Sequence, residues 1–299
     1  MKYVGITPDG ERVLLPKPAS MKLNRSEDAP ADGFSGVFPL AQSGICLTQL
    51  QIFDANEALC FDGIVDDRTE QCGEGRFLTI AARSRAALLL DNEAIPQNYC
   101  MPSLETVFQR HIQPYGFTGY EGNTRIFPGK LEVTKGMSEW QAAETFCAEF
   151  LKVHPRISGG RFIASDTLPE GMLLFDRERG IPYSAVSVRN KYCSLYSELF
   201  AKNGNGYSPA ARDKAALALG VARRRLLAKG MDADALIRSA CKKAFSVTVT
   251  CPGEVPGELR MKAVINDKAL SIPENLCVSE VDYALNSEGE TTRFVLRSV

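Results

Sequence analysis

The spacing of apolar positions changes along this chain, and the changes divide it into three stretches. Over residues 1 to 84 apolar and polar residues alternate in short runs. After the polar lead MKYVGITPDGERVLLP, MKLNRSED and GFSGVFPL flank the turn-like APADG. LTQLQIFDAN and EALCFDGIVDDRTE then part at Asn56-Glu57, and GRFLTIAARS closes the set. Runs of this length with Gly, Asn and Asp between them predict five short strands of a small antiparallel barrel or sandwich, with no helix.

Between residues 85 and 168 the period lengthens. RAALLLDNEA predicts a short helix. Pro102 and Ser103 open LETVFQRHIQPYG, where Leu104, Val107, Phe108 and Ile112 recur near helical spacing until Pro114 and Gly116. The clearest helix follows Ser138. With Gln141 three residues on, Ser138 reads as a capping box, and Trp140, Ala143, Cys147, Phe150 and Leu151 then line one face up to His154-Pro155. LEVTKGM, between these helices, is a predicted strand.

From residue 169 alternation returns with one interruption. GMLLFDRERG and SAVSVRNKYCSLYSELFA are extended, residues 202–243 are Ala- and Arg-rich and predict a helical insertion, and FSVTVTC resumes with Phe245, Val247, Val249 and Cys251 inward. Leu276, Val278 and Val281 to Leu285 form one run and Asn286-Ser287-Glu288-Gly289 a turn. Thr292, Phe294 and Leu296 alternate after it, so a hairpin closing a sheet or barrel is expected.

Charge adds one feature to this pattern. The 299 residues, 44% hydrophobic, suffice for two or three cored domains, and 35 basic against 36 acidic residues argue against a dedicated nucleic-acid binder. Residues 202–243 nevertheless hold ten basic residues (Lys202, Arg212, Lys214, Arg223, Arg224, Arg225, Lys229, Arg238, Lys242, Lys243) against Asp213, Asp232 and Asp234, a net +7, which leaves -8 elsewhere. A basic helix face is most simply solvated or balanced within the molecule. Docking of an acidic partner comes next, and nucleic-acid binding last, because no aromatic residues interleave. No stretch approaches the ~20 apolar residues of a membrane span. The first residues lack the pattern of an export signal, so neither membrane insertion nor export is expected.

Candidate chemistry is sparse. The nine cysteines (46, 60, 72, 100, 147, 193, 241, 251, 277) are odd in number and include no C-x-x-C pair, so they are expected to be small buried hydrophobes. Only His111 and His154 stand by to join a cysteine in a zinc site or a nucleophilic pair, one mid-helix and the other at a helix end. Asp66-Asp67, and Glu139 with Glu144, offer carboxylates for glycoside hydrolysis, but on a turn and an exposed helix face they read as solvated. Gly204-Asn205-Gly206 lacks the third Gly and the Lys-Ser/Thr of a phosphate loop and reads as a linker. Trp140 reads as a core anchor at a helix start. No catalytic, cofactor-binding or metal-ligating residue is expected.

Four passages, in order, resemble one family. FDGIVDDRTEQCGEGRFLTIAARSRAALLLDNEA resembles a strand pair followed by a short segment, here Ala82-Arg83-Ser84 through Leu90-Asp91. LEVTKGMSEWQAAETFCAEFL resembles a strand, Ser/Thr-x-Trp turn and helix. PYSAVSVRNKYCSLYSELF resembles the strand opening a second barrel, and VSEVDYALNSEGETTRFVL a final hairpin. Together they are similar to the baseplate hub proteins of contractile-tailed phages and prophage tail particles, the late control protein D group, with the Mu hub and the Bacillus defective-prophage tail protein as relatives.

The resemblance implies an α+β, mainly β chain. It would have a first antiparallel β-barrel (1–84), an α/β middle domain (85–168), and a second β-barrel (169–299) interrupted by the basic helical insertion at 202–243. It further implies a non-enzymatic homotrimer whose six barrels give pseudo-sixfold symmetry and match a threefold central spike to a sixfold tail tube. Baseplate wedge and tape-measure proteins would be further partners, with DNA only in transit through the channel. The protein would sit in the virion tail baseplate after assembly in the bacterial host cytoplasm. A phage-like bacteriocin or injection particle would use the same hub, and a tail-associated peptidoglycan hydrolase is the alternative of another class. Apolar residues left over on strands such as FSVTVTC would lie at protomer contacts.

Overall fold

A computed structural model describes residues 1–228, 231–267 and 269–298. The chain makes two compact units, Met1–Leu168 with Asp282–Glu290, and Pro169–Val281 with Thr291–Val299. Its class is α+β, mainly β.

In the first unit, β1 (Lys2–Ile6), β2 (Arg12–Leu15), β3 (Ser20–Ser26), β4 (Gly33–Pro39), β5 (Gln49–Phe53), β6 (Leu59–Cys72) and β7 (Arg76–Ser84) form an antiparallel sheet in the order β3-β4-β7-β6-β5-β1-β2. Alternate residues point inward, among them Met21 and Leu23, Phe34 and Phe38, Leu50 and Ile52, Leu78 and Ile80. Seven strands occur where five were expected. The lead is itself a hairpin, β1 to β2, turning at Thr7 to Gly10 with Gly10 at φ 86°. Its polar turn hid the inward pair Tyr3 and Leu15.

The expected barrel does not close. The strand path of the sheet ends at β2, whose continuation, Pro16-Lys17-Pro18, includes two residues with no N–H to donate. The sheet curls without a closing ladder. Strands far apart in its order meet across the core, where the Tyr3 ring packs edge-on to Phe38 with centroids 5.5 Å apart and its hydroxyl donates to Met21 Sδ. Gly63 permits the tight approach of β6 to β7, because a Cβ there would collide with the Arg83 carbonyl oxygen and the Phe61 ring.

Residues 86–164 build a second core in this unit. Its elements are α1 (Ala87–Asp91), β8 (Gln97–Cys100), α2 (Leu104–Val107), β9 (Gly119–Gly122), β10 (Lys130–Val133), α3 (Glu139–Phe146), β11 (Arg156–Ser158) and β12 (Arg161–Ala164). β8 pairs with β10, and β12 lies between β11 and β9. α2 and α3 each run on into a wider turn of π type, Phe108–Ile112 and Cys147–Leu151. The capping box is present: Ser138 Oγ accepts from the Gln141 N–H and Gln141 Oε1 accepts from the Ser138 N–H. Trp140 is buried, edge-on to Phe162.

The second unit contains β13 (Met172–Phe175), β14 (Ala185–Asn190), β15 (Glu198–Asn203), β16 (Gly206–Arg212), α4 (Lys214–Ala218), β17 (Arg224–Leu226), α5 (Ala233–Ala244), β18 (Phe245–Pro252), β19 (Lys262–Ile265), β20 (Leu276–Asn286) and β21 (Gly289–Ser298). The expected final hairpin is β20 and β21, and its middle, Asp282–Glu290, belongs to the first unit. The main sheet runs β14-β18-β21-β20-β19-β13. It is open, and β13 and β19 are parallel, so the second expected antiparallel barrel is also corrected. Val247, Val249 and Cys251 are not left over for protomer contacts. They are fully buried with Phe175, Phe294 and Leu296 in the core of their own unit.

The insertion is less helical than its Ala and Arg content predicts. Residues 202–212 belong to a hairpin whose two-residue connection is Gly204-Asn205, with Gly204 at φ 56°. β17 pairs parallel to β15, completing the three-stranded sheet β16-β15-β17. Helix is confined to α4, capped by Asp213, and α5, capped by Asp232. Lys229 lies outside the described residues.

Candidate functional site

Two polar constellations stand out, one buried and one exposed. The buried one grows from the helix after Ser103. His111 falls on the same stripe as Leu104, Val107, Phe108 and Ile112 and is therefore carried into the core. Glu139, the first residue of α3, meets it there. His111 Nδ1 and Glu139 Oε2 are 2.5 Å apart, Tyr99 Oη lies 2.8 Å from His111 Nε2, and Tyr115 Oη donates to Glu139 Oε1 at 3.0 Å. Glu139 is buried, which corrects its reading as part of an exposed helix face.

This arrangement has the outline of a carboxylate, an imidazole and a hydroxyl in series, but its electrostatics favour a brace. Burial, reinforced by the Glu139 charge, raises the Tyr99 phenol above its ordinary value, so the hydroxyl keeps its proton. Burial and the Glu139 hydrogen bond do the same at Tyr115. Both His111 nitrogens are engaged, leaving neither for a thiol. A fully satisfied polar network inside a core fixes the pairing of the elements that supply it.

Asp66, Glu144 and the second histidine are also engaged. Arg83 receives Asp66 through Nε and Nη2 at 2.7 and 2.9 Å, and Asp91 through Nη1 and Nη2 at 3.1 and 2.7 Å. This double fork ties β6 to the end of α1 through residues of the segment Ala82 to Asp91, and it holds the Asp91 carboxyl below its usual range. Asp66 and Asp67 lie in strand β6 and not on the expected turn, and Asp66 is thereby a structural partner. His154 Nδ1 lies 3.4 Å from Glu144 Oε1 on the surface. Of the cysteines, Cys147, Cys251 and Cys277 are buried as expected, and burial pushes the Cys147 thiol up to about 12 and that of Cys251 to about 11. Cys46, Cys72, Cys100, Cys193 and Cys241 are exposed, a correction that follows from their places in loops and turns, at strand ends and, for Cys241, on the outward side of α5. Among the described residues no group of three His, Cys, Asp or Glu is placed to hold a metal ion, and no helix is long and apolar enough to cross a membrane.

The exposed constellation is the sheet β16-β15-β17. The run Arg223-Arg224-Arg225 lies at its edge on or beside β17, and not on a helix face. Arg224 stacks over Phe200 at 5.0 Å. Arg225 stacks over Tyr196 at 5.5 Å and donates to its hydroxyl at 3.1 Å, and Arg223 donates to the Cys193 carbonyl at 2.5 Å. Arg212 pairs with Glu198 across the hairpin. Aromatic residues thus do interleave with the basic ones, supplied by the neighbouring strand. The signal was legible as the alternation Tyr196, Glu198, Phe200, Lys202.

Comparison of the whole chain with solved structures gives the fold its context. The tail protein from Neisseria meningitidis MC58 superposes with a TM-score of 0.76 over 100% of this chain and 97% of its own, at 16% identity. This chain has the fold of a phage tail protein. The 43 kDa tail protein of prophage MuSo2 from Shewanella oneidensis gives the same TM-score, 0.76, over 99% and 97% at 14% identity. The E. coli c3393 protein is a component of the type VI secretion system with structural similarity to the T4 bacteriophage tail proteins gp27 and gp5. It matches at 0.59 over 95% of this chain and 74% of its own, at 8% identity. No family model and no curated protein matches the sequence.

Proposed function

We propose that this protein is the structural hub of a phage or phage-like tail, a homotrimeric ring that joins the tail tube to the central spike and lines the channel. The observation that carries the proposal is the likeness over the full chain to two tail proteins of almost the same extent. The likeness to c3393, itself similar to tail proteins of T4, supports a place beside the spike.

Three functional parts follow: residues 1–84 and 169–299 as the tube-like β domains and residues 85–168 as the α/β domain between them, with the insertion at 202–243. Two related β domains per chain convert threefold into sixfold symmetry when three chains close a ring. Wedge and tape-measure proteins complete the surroundings in the virion baseplate, assembled in the host cytoplasm, and DNA passes without being held. Part of the net negative charge outside the insertion faces the bore and repels phosphate.

The protein acts by assembly, without catalysis or a cofactor. A hub of a bacteriocin-like or injection particle would have the same geometry. A peptidoglycan hydrolase is the less favoured role, because Asp66 is committed to Arg83 and Glu139 to His111. Electron microscopy of the purified protein tests the proposal. A threefold ring with six similar β domains around an acidic bore is expected. Isolated single chains, or a basic bore, would count against it.

A further inference from the structure

Charge is divided between the two units of the chain. The first carries 16 Lys and Arg against 24 Asp and Glu, the second 19 against 12. Each excess is concentrated. Residues 51–75 hold Asp54, Glu57, Asp62, Asp66, Asp67, Glu70 and Glu74 with Arg68, and Arg76 follows; Asp62, Asp66 and Glu70 are paired with Arg85, Arg83 and Arg68, whereas residues 202–243 hold ten basic residues against three acidic.

Apolar side chains reach solvent in and beside the basic region, as they also do at Leu14, Ile95, Met101 and Ile126. Tyr192, Tyr207, Leu217, Leu219, Leu226 and Met231 are all exposed, Tyr207 by 52% and Leu226 by 50%. A face that bound only phosphates would have no use for Leu and Met. Arginine with Tyr, Met and Leu is instead the composition of a protein contact. Its arginines are already held, Arg224 on Phe200 and Arg225 on Tyr196, so little side-chain freedom remains to be lost on binding. The acidic stretch has matching apolar points: Leu59, at the start of β6, is 53% exposed and Phe77, in β7, 37%. Asp67 and Glu74 stand exposed on the same hairpin.

From this complementarity we infer that the sheet β16-β15-β17 of one copy docks on the acidic β6–β7 hairpin of a second copy of the same chain. Such a contact is heterologous, each copy using one surface to give and another to receive, and repeated around an axis it closes a ring. The inference rests on the proposed ring and supplies the contact that would close it. Its charged rim makes the docking salt-sensitive.

Mixing nitrogen-15-labelled with unlabelled protein, followed by zero-length carbodiimide cross-linking and mass spectrometry, tests this directly. Cross-links of mixed isotope joining Lys202 or Lys214 to carboxylates within residues 54–74 are expected. Arg224→Glu with Arg225→Glu, or Asp67→Lys with Glu74→Lys, should each reduce them roughly tenfold, and mixing the two folded variants should restore them. Circular dichroism of each variant checks that it folds. Mixed-isotope links that place the insertion elsewhere, or none at all, overturn the inference. So does a variant pair that changes nothing, or an arginine variant that loses only a duplex-DNA mobility shift. A threefold ring that persists by microscopy in the arginine variant overturns the docking and leaves the ring. Cross-links as expected without a ring retain the docking and remove the ring.

Discussion

The surroundings of Asp32 oppose its charge. Burial raises its carboxyl above the ordinary 3.8, only partly offset by Arg25, whose Nε lies 3.6 Å from Oδ2. A raised folded value means that the carboxyl adds stability when protonated. That contribution is complete below the ordinary value and is lost as pH rises through the folded one. Asp32→Asn should therefore melt higher than the parent at pH 7 and alike at pH 3; a lower melting point at pH 7 would show that the Arg25 pair dominates. Glu139 is tested by its hydrogen bonds. Glu139→Ala leaves His111 Nδ1 and the Tyr115 hydroxyl without their acceptor in a closed core and should cost about 2–3 kcal/mol, against about 1 for Glu139→Gln, by urea unfolding. Loss of the cap in Ser138→Ala should cost about 1 kcal/mol by the same measure. The stripe that buries His111 was legible in the sequence. Its partner was not, because Glu139 opens a helix 28 residues later and only the packed fold brings the two together.

At the scale of elements, alternation served well wherever strands had one inward face. β18 and the hairpin of β20 and β21 follow their apolar positions, and the helix from Ser138 follows its cap and stripe. Two errors share a cause. The lead and the insertion were read by composition, yet each contains a hairpin set by its turn, around Pro8-Asp9-Gly10 in one and Gly204-Asn205 in the other. The missing closure had one sequence signal, Pro16 and Pro18 after β2, which the alternation pattern does not weigh; whether the remaining edges meet depends on the packed fold. The insertion packs with its flanks on a core of few residues, Leu195, Ala216, Val221 and Ala244. Local stability follows buried apolar contact. Amides of β15 to β17 should thus exchange hydrogen at least about tenfold faster than those of β18 and β21, and equal protection would contradict it.

For the whole molecule, the order of four sequence passages already resembled the hub family, and superposition over the full chain supports that fold with at most 16% identity to the tail proteins compared. Identity this low preserves the spacing of inward residues more than the residues themselves, so the resemblance lay in pattern and order. Surface roles follow no such pattern: the basic excess of residues 202–243 was legible in the sequence, whereas the acidic excess could be assigned to a unit only from the fold. The most direct test of the account is the native mass of the purified protein by light scattering across a concentration series. The hub ring predicts a mass that rises to three times that of the chain and stays there. A single-chain mass up to the highest concentration would contradict it.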